Sequence, residues 1–408
     1  MKLLKVDTSE EVRRKIDLSF PNTWDKYDQV RLEQALGRIA YEDVYSPIEL
    51  PEFSRSVVDG YAVIASDTYG AGESMPVFLE VSGNVEMGKK PLGRVTKGIA
   101  MYVPTGAMIP DGADAVVMIE DVDILDENTI AVYTSVAPGH GIIKKGDDIS
   151  FGQKVLSKGK KIMSRDIGVL AALGIEYIKV FKKIRAAVIS TGDEIVDSFG
   201  EVRDGEIRDI NTHLLSAMVE ESGGQVSLKM LVKDDFDELR NAILKALEES
   251  EIVLLSGGSS VGVKDMTRKA IESVDNGEVF VHGVAVKPGK PTIIGKAGDK
   301  AIFGLPGHPS SAMVIYKAFV DYLIRKYYCF KEETIYIEAV CGENIHSAPG
   351  KETYQTVDIE DKDGVYWAIP VYGKSAAITT VAKSRGYIKI PENKEGIKKG
   401  EKVRVALF

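Results

Sequence analysis

Four short stretches of this chain hold residue types that do chemistry on anions: STGDEI (190–195), KDD (233–235), SGGSSVGVKD (256–265) and GLPGHPSS (304–311). Each follows an apolar run that reads as a strand. In an open α/β sheet, ligands bind beyond the carboxyl ends of the strands, so the four loops are expected to line one crevice. Ser256-Gly257-Gly258-Ser259-Ser260 leaves its strand with no bulky side chain. Such a run lets backbone N–H groups and hydroxyls approach an anion, and the helix that follows favours negative charge. Read alone, it is also what a tight strand-to-helix turn looks like. The run matches neither GxxxxGK[ST] nor GxGxxG, which argues against a Walker-type ATPase and a dinucleotide dehydrogenase.

Asp193, Glu194, Asp234, Asp235 and Asp265 fall in the same loops. Taken singly they read as caps: Asp265 for a helix over 266–274, Asp234 or Asp235 for the helix after the KDD turn. Together, beside an anion site, they pose a charge problem. A carboxylate roughly 4 Å from a phosphate is repelled by about 4 kcal/mol at an effective dielectric near 20. A hard cation resolves it, because Mg²⁺ takes one or two carboxylates plus phosphate oxygens and water. The expectation is a Mg-bridged phosphoanhydride ligand. Lys287-Pro288-Gly289-Lys290-Pro291 sets two ammonium groups on a stiff turn, either a clamp for an oxyanion or a solvated basic turn. His308 reads as part of a rigid turn ahead of a helix opening at Pro309, not as a catalytic base. The other histidines lack metal-site spacing.

These loops need a scaffold to hold them. Over 181–328, strands IRAAVIS (184–190), SLKMLV (227–232), EIVLL (251–255) and AIFGL (301–305) alternate with helices over 210–222, from Phe236 to Leu247, over 266–274, and from Pro309. That alternation predicts a doubly wound parallel sheet. Residues 48–138 break into short strands between Gly and Pro and read as a β-rich insertion. Within it, Asp59-Gly60 in RSVVDGYA and Thr105-Gly106 in PTGAMIPDGADAVVMIED are either hairpin turns or a binding loop. Residues 1–47 read as mostly helical, with Ser9 capping one helix and Val30, Leu32, Ala35 and Leu36 forming a second apolar stripe. With 139–180 they would make a discontinuous domain. Residues 333–408 return to short alternating strands, predicting a small C-terminal β-barrel or sandwich.

Composition narrows the class. The 408 residues correspond to two to four domains at about 150 residues each. A net charge of −9 disfavours wrapping nucleic acid or an anionic membrane. Two cysteines, Cys329 and Cys341, provide no disulfide framework. The N-terminus turns charged before a signal-peptide core can form, and the run Ile167–Ile175 is too short for the ~20 residues of a membrane span. A cytoplasmic globular protein is expected.

In order along the chain, RSVVDGYAV, PTGAMIPDGADAVVMIEDV, KKGDDI, STGDEIV, DINTHLL, SGGSSVGVKD, VKPGKP and LPGHPSSAMV closely resemble the molybdopterin molybdenumtransferases, the MoeA-type enzymes of molybdenum cofactor synthesis. The resemblance covers residues 10–330 and thins after 333. It implies a homodimer of four-part subunits, with a molybdopterin-binding-like α/β domain and a site between that domain and the insertion of the other subunit. The implied reaction joins molybdate, or tungstate, to adenylylated molybdopterin with Mg²⁺, releasing AMP. The dithiolene sulfurs would come from the pterin, so no cysteine ligand is needed. A pterin adenylyltransferase would supply the substrate, and molybdoenzymes or tungstoenzymes would take the product.

Carried over by motif, Asp59 and Thr105 are the functional pair of the insertion. Glu194, Asp234 and Asp265 handle the metal and the anhydride, with Glu194 and Asp265 as metal ligands. Substrate contacts fall on Asp148, Gly192, Asp193, Ser256, Gly257, Gly258, Ser259, Ser260, Lys287, Lys290, Pro306, Gly307, Ser310 and Ser375. The family's arginine-rich run before the G-[ED]-D-I motif is replaced here by Ile142-Ile143-Lys144-Lys145. Two rival readings are a pterin adenylyltransferase and a non-enzymatic scaffold, since a homologous module clusters receptors. The insertion with Asp59 argues against the first, and retention of Asp59, Glu194 and Asp265 against the second.

Overall fold

A computed structural model describes residues 6–257, 261–330, 335–373 and 377–408, with the side chains of 261–264 outside the description. The described residues fall into two compact units. One takes those of 1–42, 158–163 and 178–408; the other takes 43–157 and 164–177.

The second unit is built on a six-stranded sheet. Its order is Ala115–Met118, Gly60–Val63, Ile99–Val103, Val77–Asn84, Thr129–Val132, Val122–Asp126. Side chains alternate between its faces as the strand period requires. Tyr61, Val63, Leu79, Val117 and Ile130 pack on one side, and Ala62, Val103 and Val116 on the other. The strand Gly60–Val63, paired on both sides and covered on both faces, is therefore buried throughout. A Cβ on Gly60 would lie 1.9 Å from the Val117 carbonyl oxygen, so only glycine lets this strand pair there.

In the first unit the N-terminal reading needs correction. One helix, Ser9–Ser19, is present, and its cap is Thr8, not Ser9: Thr8 Oγ1 accepts the Glu11 N–H and Glu11 accepts the Thr8 N–H. The stripe proposed for 30–36 is a strand, Tyr27–Arg31, followed by one 3₁₀ turn, Leu32–Gln34. Val30 and Leu32 stand two apart, which is the strand period.

The α/β domain has strands β1 (Arg185–Thr191), β2 (Gln225–Val232), β3 (Ile252–Gly257), β4 (Gly277–His282), β5 (Ile293–Ala297) and β6 (Lys300–Leu305). Its helices are α1 (Asn211–Glu221), α2 (Phe236–Glu249), α3 (Val261–Glu272), α4 (Pro309–Ile315) and α5 (Asp321–Tyr327). Sheet order is β2-β1-β3-β6-β5-β4, with β2, β1, β3 and β6 mutually parallel. The sheet is covered on both faces, which is why its strands read as continuous apolar runs. Ala187 and Ile189 face α2 and α3 residues such as Leu239 and Ile271, while Ala186 and Val188 face Leu215, Val219 and Phe319.

In the C-terminal region, Glu352–Lys362 pairs with Val365–Pro370 on one side and Gly386–Ile390 on the other. Tyr336–Cys341 and Lys402–Leu407 complete the ring. The result is a closed five-stranded barrel, not a sandwich. Val286–Lys287 adds a short parallel strand to it at Glu352–Thr353. No helix among the described residues is long and apolar enough to cross a membrane.

Candidate functional site

The parallel register brings the ends of β1, β2, β3 and β6 side by side. Thr191 is level with Val232 on one side and Gly257 on the other, and Ser256 with Leu305. The four loops therefore do leave one edge of the sheet together. Gly257 has φ +147°, and a Cβ there would lie 2.2 Å from the Thr191 carbonyl oxygen and 2.3 Å from its hydroxyl. A Cβ on Gly307 would stand 3.5 Å from the Gly257 Cα, so two bare backbones touch and make the floor. Pro306 ahead of it, and Ser310 in the first turn of α4, are buried. Pro309 takes the first helical position and His308 the cap position, as expected for a rigid turn.

Residues that the sequence reading passed over fasten this floor. Asn211 Nδ2 donates to Ser256 Oγ at 2.8 Å and to the Gly307 carbonyl at 2.7 Å, using both amide protons. Its Oδ1 is left buried with no partner among the described residues. Ser190 Oγ donates to Asp209 Oδ1 at 3.0 Å and sits 2.8 Å from Thr212 Oγ1, while the Thr212 N–H also donates to Asp209 Oδ1. Asp209, Asn211 and Thr212 lie in DINTHLL and Ser190 in β1, so the motif was visible. Its role as a brace across strand ends was not.

The acidic residues gather at the rim. Asp193 Oδ1 accepts the Asp234 N–H at 3.3 Å, and its carbonyl accepts Lys233 Nζ. A Cβ on Gly192 would come within 2.9 Å of Glu194 Oε2 and of the Ile195 side chain, so both would have to shift to admit one. Burial raises the Asp234 pKa above the usual carboxylate value; a hydrogen bond from Thr191 opposes this, and the charges of Asp193 and Glu194 add to the rise. One oxygen of Asp234, Oδ1, is buried with no partner among the described residues. Such groups are rare in native proteins, and a water or an ion is among the things that satisfy them.

Two cap assignments resolve. Asp235 caps α2, accepting the N–H groups of Asp237 and Glu238, which leaves Asp234 unused by the helix. Asp265 is not a cap: α3 starts five residues earlier than the 266 expected from the sequence, and Asp265 lies exposed inside the helix. Among the described residues no hydrogen bond or ion pair ties it to Asp193, Glu194 or Asp234. Lys287 and Lys290 are exposed, and Pro291 at the end of their turn shares a small recess with Thr191, Gly257 and Leu305. Gly258, Ser259, Ser260 and Ser375 lie outside the described residues.

In the other unit, Asp59 Oδ1 accepts the backbone N–H of Thr105 at 2.7 Å, and the Asp59 carbonyl accepts the Ile119 N–H. The two motifs of the insertion thus meet directly. Asp148 is exposed and bound through its N–H to the Leu50 carbonyl.

Among the described residues, no group of three acidic, His or Cys side chains could hold a metal by itself. The donors at the rim are carboxylate and hydroxyl oxygens, with one carboxylate oxygen unsatisfied. That set fits a hard cation shared with phosphate oxygens, and not a soft or fully caged metal.

Three families match in sequence. Residues 7–174 match "MoeA N-terminal region (domain I and II)", 187–326 match "Probable molybdopterin binding domain", and 338–408 match "MoeA C-terminal region (domain IV)". A Methanocaldococcus jannaschii protein named for molybdopterin biosynthesis is 36% identical over 94% of this chain and 92% of its own. The molybdopterin molybdenumtransferase of Haemophilus influenzae is 31% identical over 98% of both. The crystal structure of a molybdopterin biosynthesis MoeA protein from Pyrococcus horikosii superposes with a TM-score of 0.84 at 38% identity, covering 99% of each chain.

Proposed function

The chain belongs to the MoeA family, and on that premise we propose that it is a Mg-dependent molybdopterin molybdenumtransferase, inserting molybdate or tungstate into adenylylated molybdopterin and releasing AMP. The observation that carries this reading is the pairing of a bare glycine floor, Gly257 against Gly307, with a buried oxygen of Asp234 that no described residue satisfies. A phosphoanhydride needs the first for close backbone approach. The cation that accompanies it needs the second.

In this reading the chain mostly positions charge. Asn211 holds Ser256 and Gly307 at fixed separation, so the floor is set before substrate arrives. Lys287 and Lys290 face the excess negative charge of oxyanion and phosphate. Glu194 and Asp265 would hold magnesium with Asp234 beside them, and the metal would supply Lewis-acid polarisation of a phosphate oxygen. Asp234 and Asp193 keep the rim negative, so that a phosphate binds well only with its cation. The active species is proposed to be a homodimer, fed by a pterin adenylyltransferase and serving molybdoenzymes or tungstoenzymes.

The test supplies purified protein with adenylylated molybdopterin and Mg²⁺, adds molybdate or tungstate at micromolar concentration, and follows AMP by chromatography. Oxyanion-dependent AMP is the expected result. Adenylylation of free molybdopterin from ATP, without oxyanion-dependent release, would instead make the chain a pterin adenylyltransferase. Silence in both assays would leave a scaffold. Within the same assay, Asp59→Asn is expected to slow turnover by at least about tenfold, the rate equivalent of roughly 1.4 kcal/mol. The amide oxygen still accepts the Thr105 N–H, so the melting curve should not move. Wild-type turnover in this variant would remove the insertion from the mechanism.

A further inference from the structure

A cavity of about 500 Å³ opens at the other edge of the α/β sheet, within the same unit. Its place is fixed by Tyr328, whose hydroxyl accepts the Ile184 N–H just before β1 at 2.8 Å and donates to the Gly223 carbonyl just after α1 at 3.0 Å. The seven residues of β1, at about 3.3 Å each, put it roughly 20 Å from the Thr191 end. It is therefore separate from the crevice described above.

Its construction is unusual in two ways. The long helix that forms one wall is interrupted between α4 and α5 by a π-helical turn, Tyr316–Val320, a rare feature that concentrates at functional sites. Tyr316 is fully buried, with its hydroxyl 2.9 Å from the Met218 carbonyl and 3.1 Å from Ser222 Oγ. The next residue, Lys317, lines the cavity, as does Lys161. Neither lysine has an ion-pair partner among the described residues. Asp321, the nearby buried carboxylate, is already taken by Arg325 at 2.8 Å and Ser222 at 2.7 Å.

The remaining lining mixes the Glu221 carboxylate and Ser222 with apolar side chains. Arg325 carries its guanidinium 5.0 Å over the Phe330 ring, and Phe408 and Ile335 are 41% and 73% exposed beside it. Gly37, with φ +76°, would place a Cβ in open space on the same lining. Three cationic side chains, Lys161, Lys317 and Arg325, outnumber the two carboxylates of the lining, Glu221 and Asp321, and beside the rings of Phe330 and Phe408 this excess favours an anion attached to a flat ring. The volume is that of a site for a small organic ligand.

We propose that this cavity is a second ligand site, binding an aromatic monophosphate of mononucleotide size, with phosphate on Lys161 and Lys317 and the ring against Phe330 and Phe408. The proposal does not depend on the reaction assigned to the crevice. The test is photolabelling of the purified full chain with 8-azidoadenosine 5′-monophosphate, followed by peptide mapping. Label is expected in peptides spanning 317–330 or the C-terminal strand. It should fall at least tenfold in Lys161→Ala/Lys317→Ala, which circular dichroism should show to be folded, and at least tenfold when 8-azidoadenosine replaces the monophosphate. Label confined to peptides covering 185–197 or 252–257, label equal in the double variant, or no label at all would overturn the proposal.

Discussion

Asp234→Asn is expected to lower oxyanion-dependent AMP release by about 10²–10³-fold, the scale of losing a preorganised charge contact, while the protein melts at the same temperature or higher. The two halves of this result have one cause. In the folded chain the carboxyl is half-buried, and Asp193 and Glu194 add like charge, so its pKa is raised. An acid whose folded pKa exceeds its unfolded value loses stability on folding once the pH is above the unfolded value, because ionisation costs more in the fold. Asparagine keeps the shape and can still accept from Thr191, but carries no charge to bury. Removing Asp234's charge therefore relieves the fold and deprives the ligand. A residue kept for structure alone would show the reverse, with stability falling and turnover preserved. Loss of turnover together with a lower melting temperature would sink this account, as would unchanged turnover. Glu194→Gln should follow the same direction in turnover.

Much of this site could be read in the chain because parallel strands carry a strong signal. IRAAVIS, EIVLL and AIFGL are buried on both faces, so they stand out as unbroken apolar runs, and the loop after each must sit at the same edge. Asp59 and Thr105, 46 positions apart, were paired only by the family resemblance. Local spacing gives no reason for one carboxylate to accept the other residue's amide. Asn211 was missed for a related cause. It sits at the start of α1, where a polar residue reads as ordinary, and its partners Ser256 and Gly307 are 45 and 96 residues away. The errors were local competitions. Thr8 and Ser9 are both good caps, and the one with Glu three positions later won because the capping box satisfies two N–H groups at once. Helix α3 starts at Val261, inside what reads as a glycine-rich loop, and because valine and glycine are both weak helix formers, local propensity gives no sign of that first turn. Val286–Lys287 joined the barrel through pairing with a strand 66 residues later, which no window of sequence shows.

The second large effect separates the two glycines of the floor. Gly257→Ala should destabilise the chain by about 2–5 kcal/mol, from a positive φ that L residues resist and a methyl forced into a full strand end. The geometry leaves little escape. At φ +147°, the new Cβ would stand 2.2 Å from a backbone oxygen of Thr191, so β1 and β3 must part where they are in register. Activity should be lost with stability, which makes this variant uninformative by itself. Gly307→Ala supplies the contrast. Its Cβ would meet Gly257 at 3.5 Å, an ordinary van der Waals contact, so denaturant midpoints should stay near wild type. The same methyl covers the backbone that the anhydride must approach. AMP release should therefore drop by about 10–10²-fold, chiefly as a higher KM for the adenylylated pterin. Wild-type kinetics in Gly307→Ala would mean that the close approach of these two backbones is strand packing alone. The ligand would then have to lie elsewhere along the edge, nearer Asp193 and Glu194.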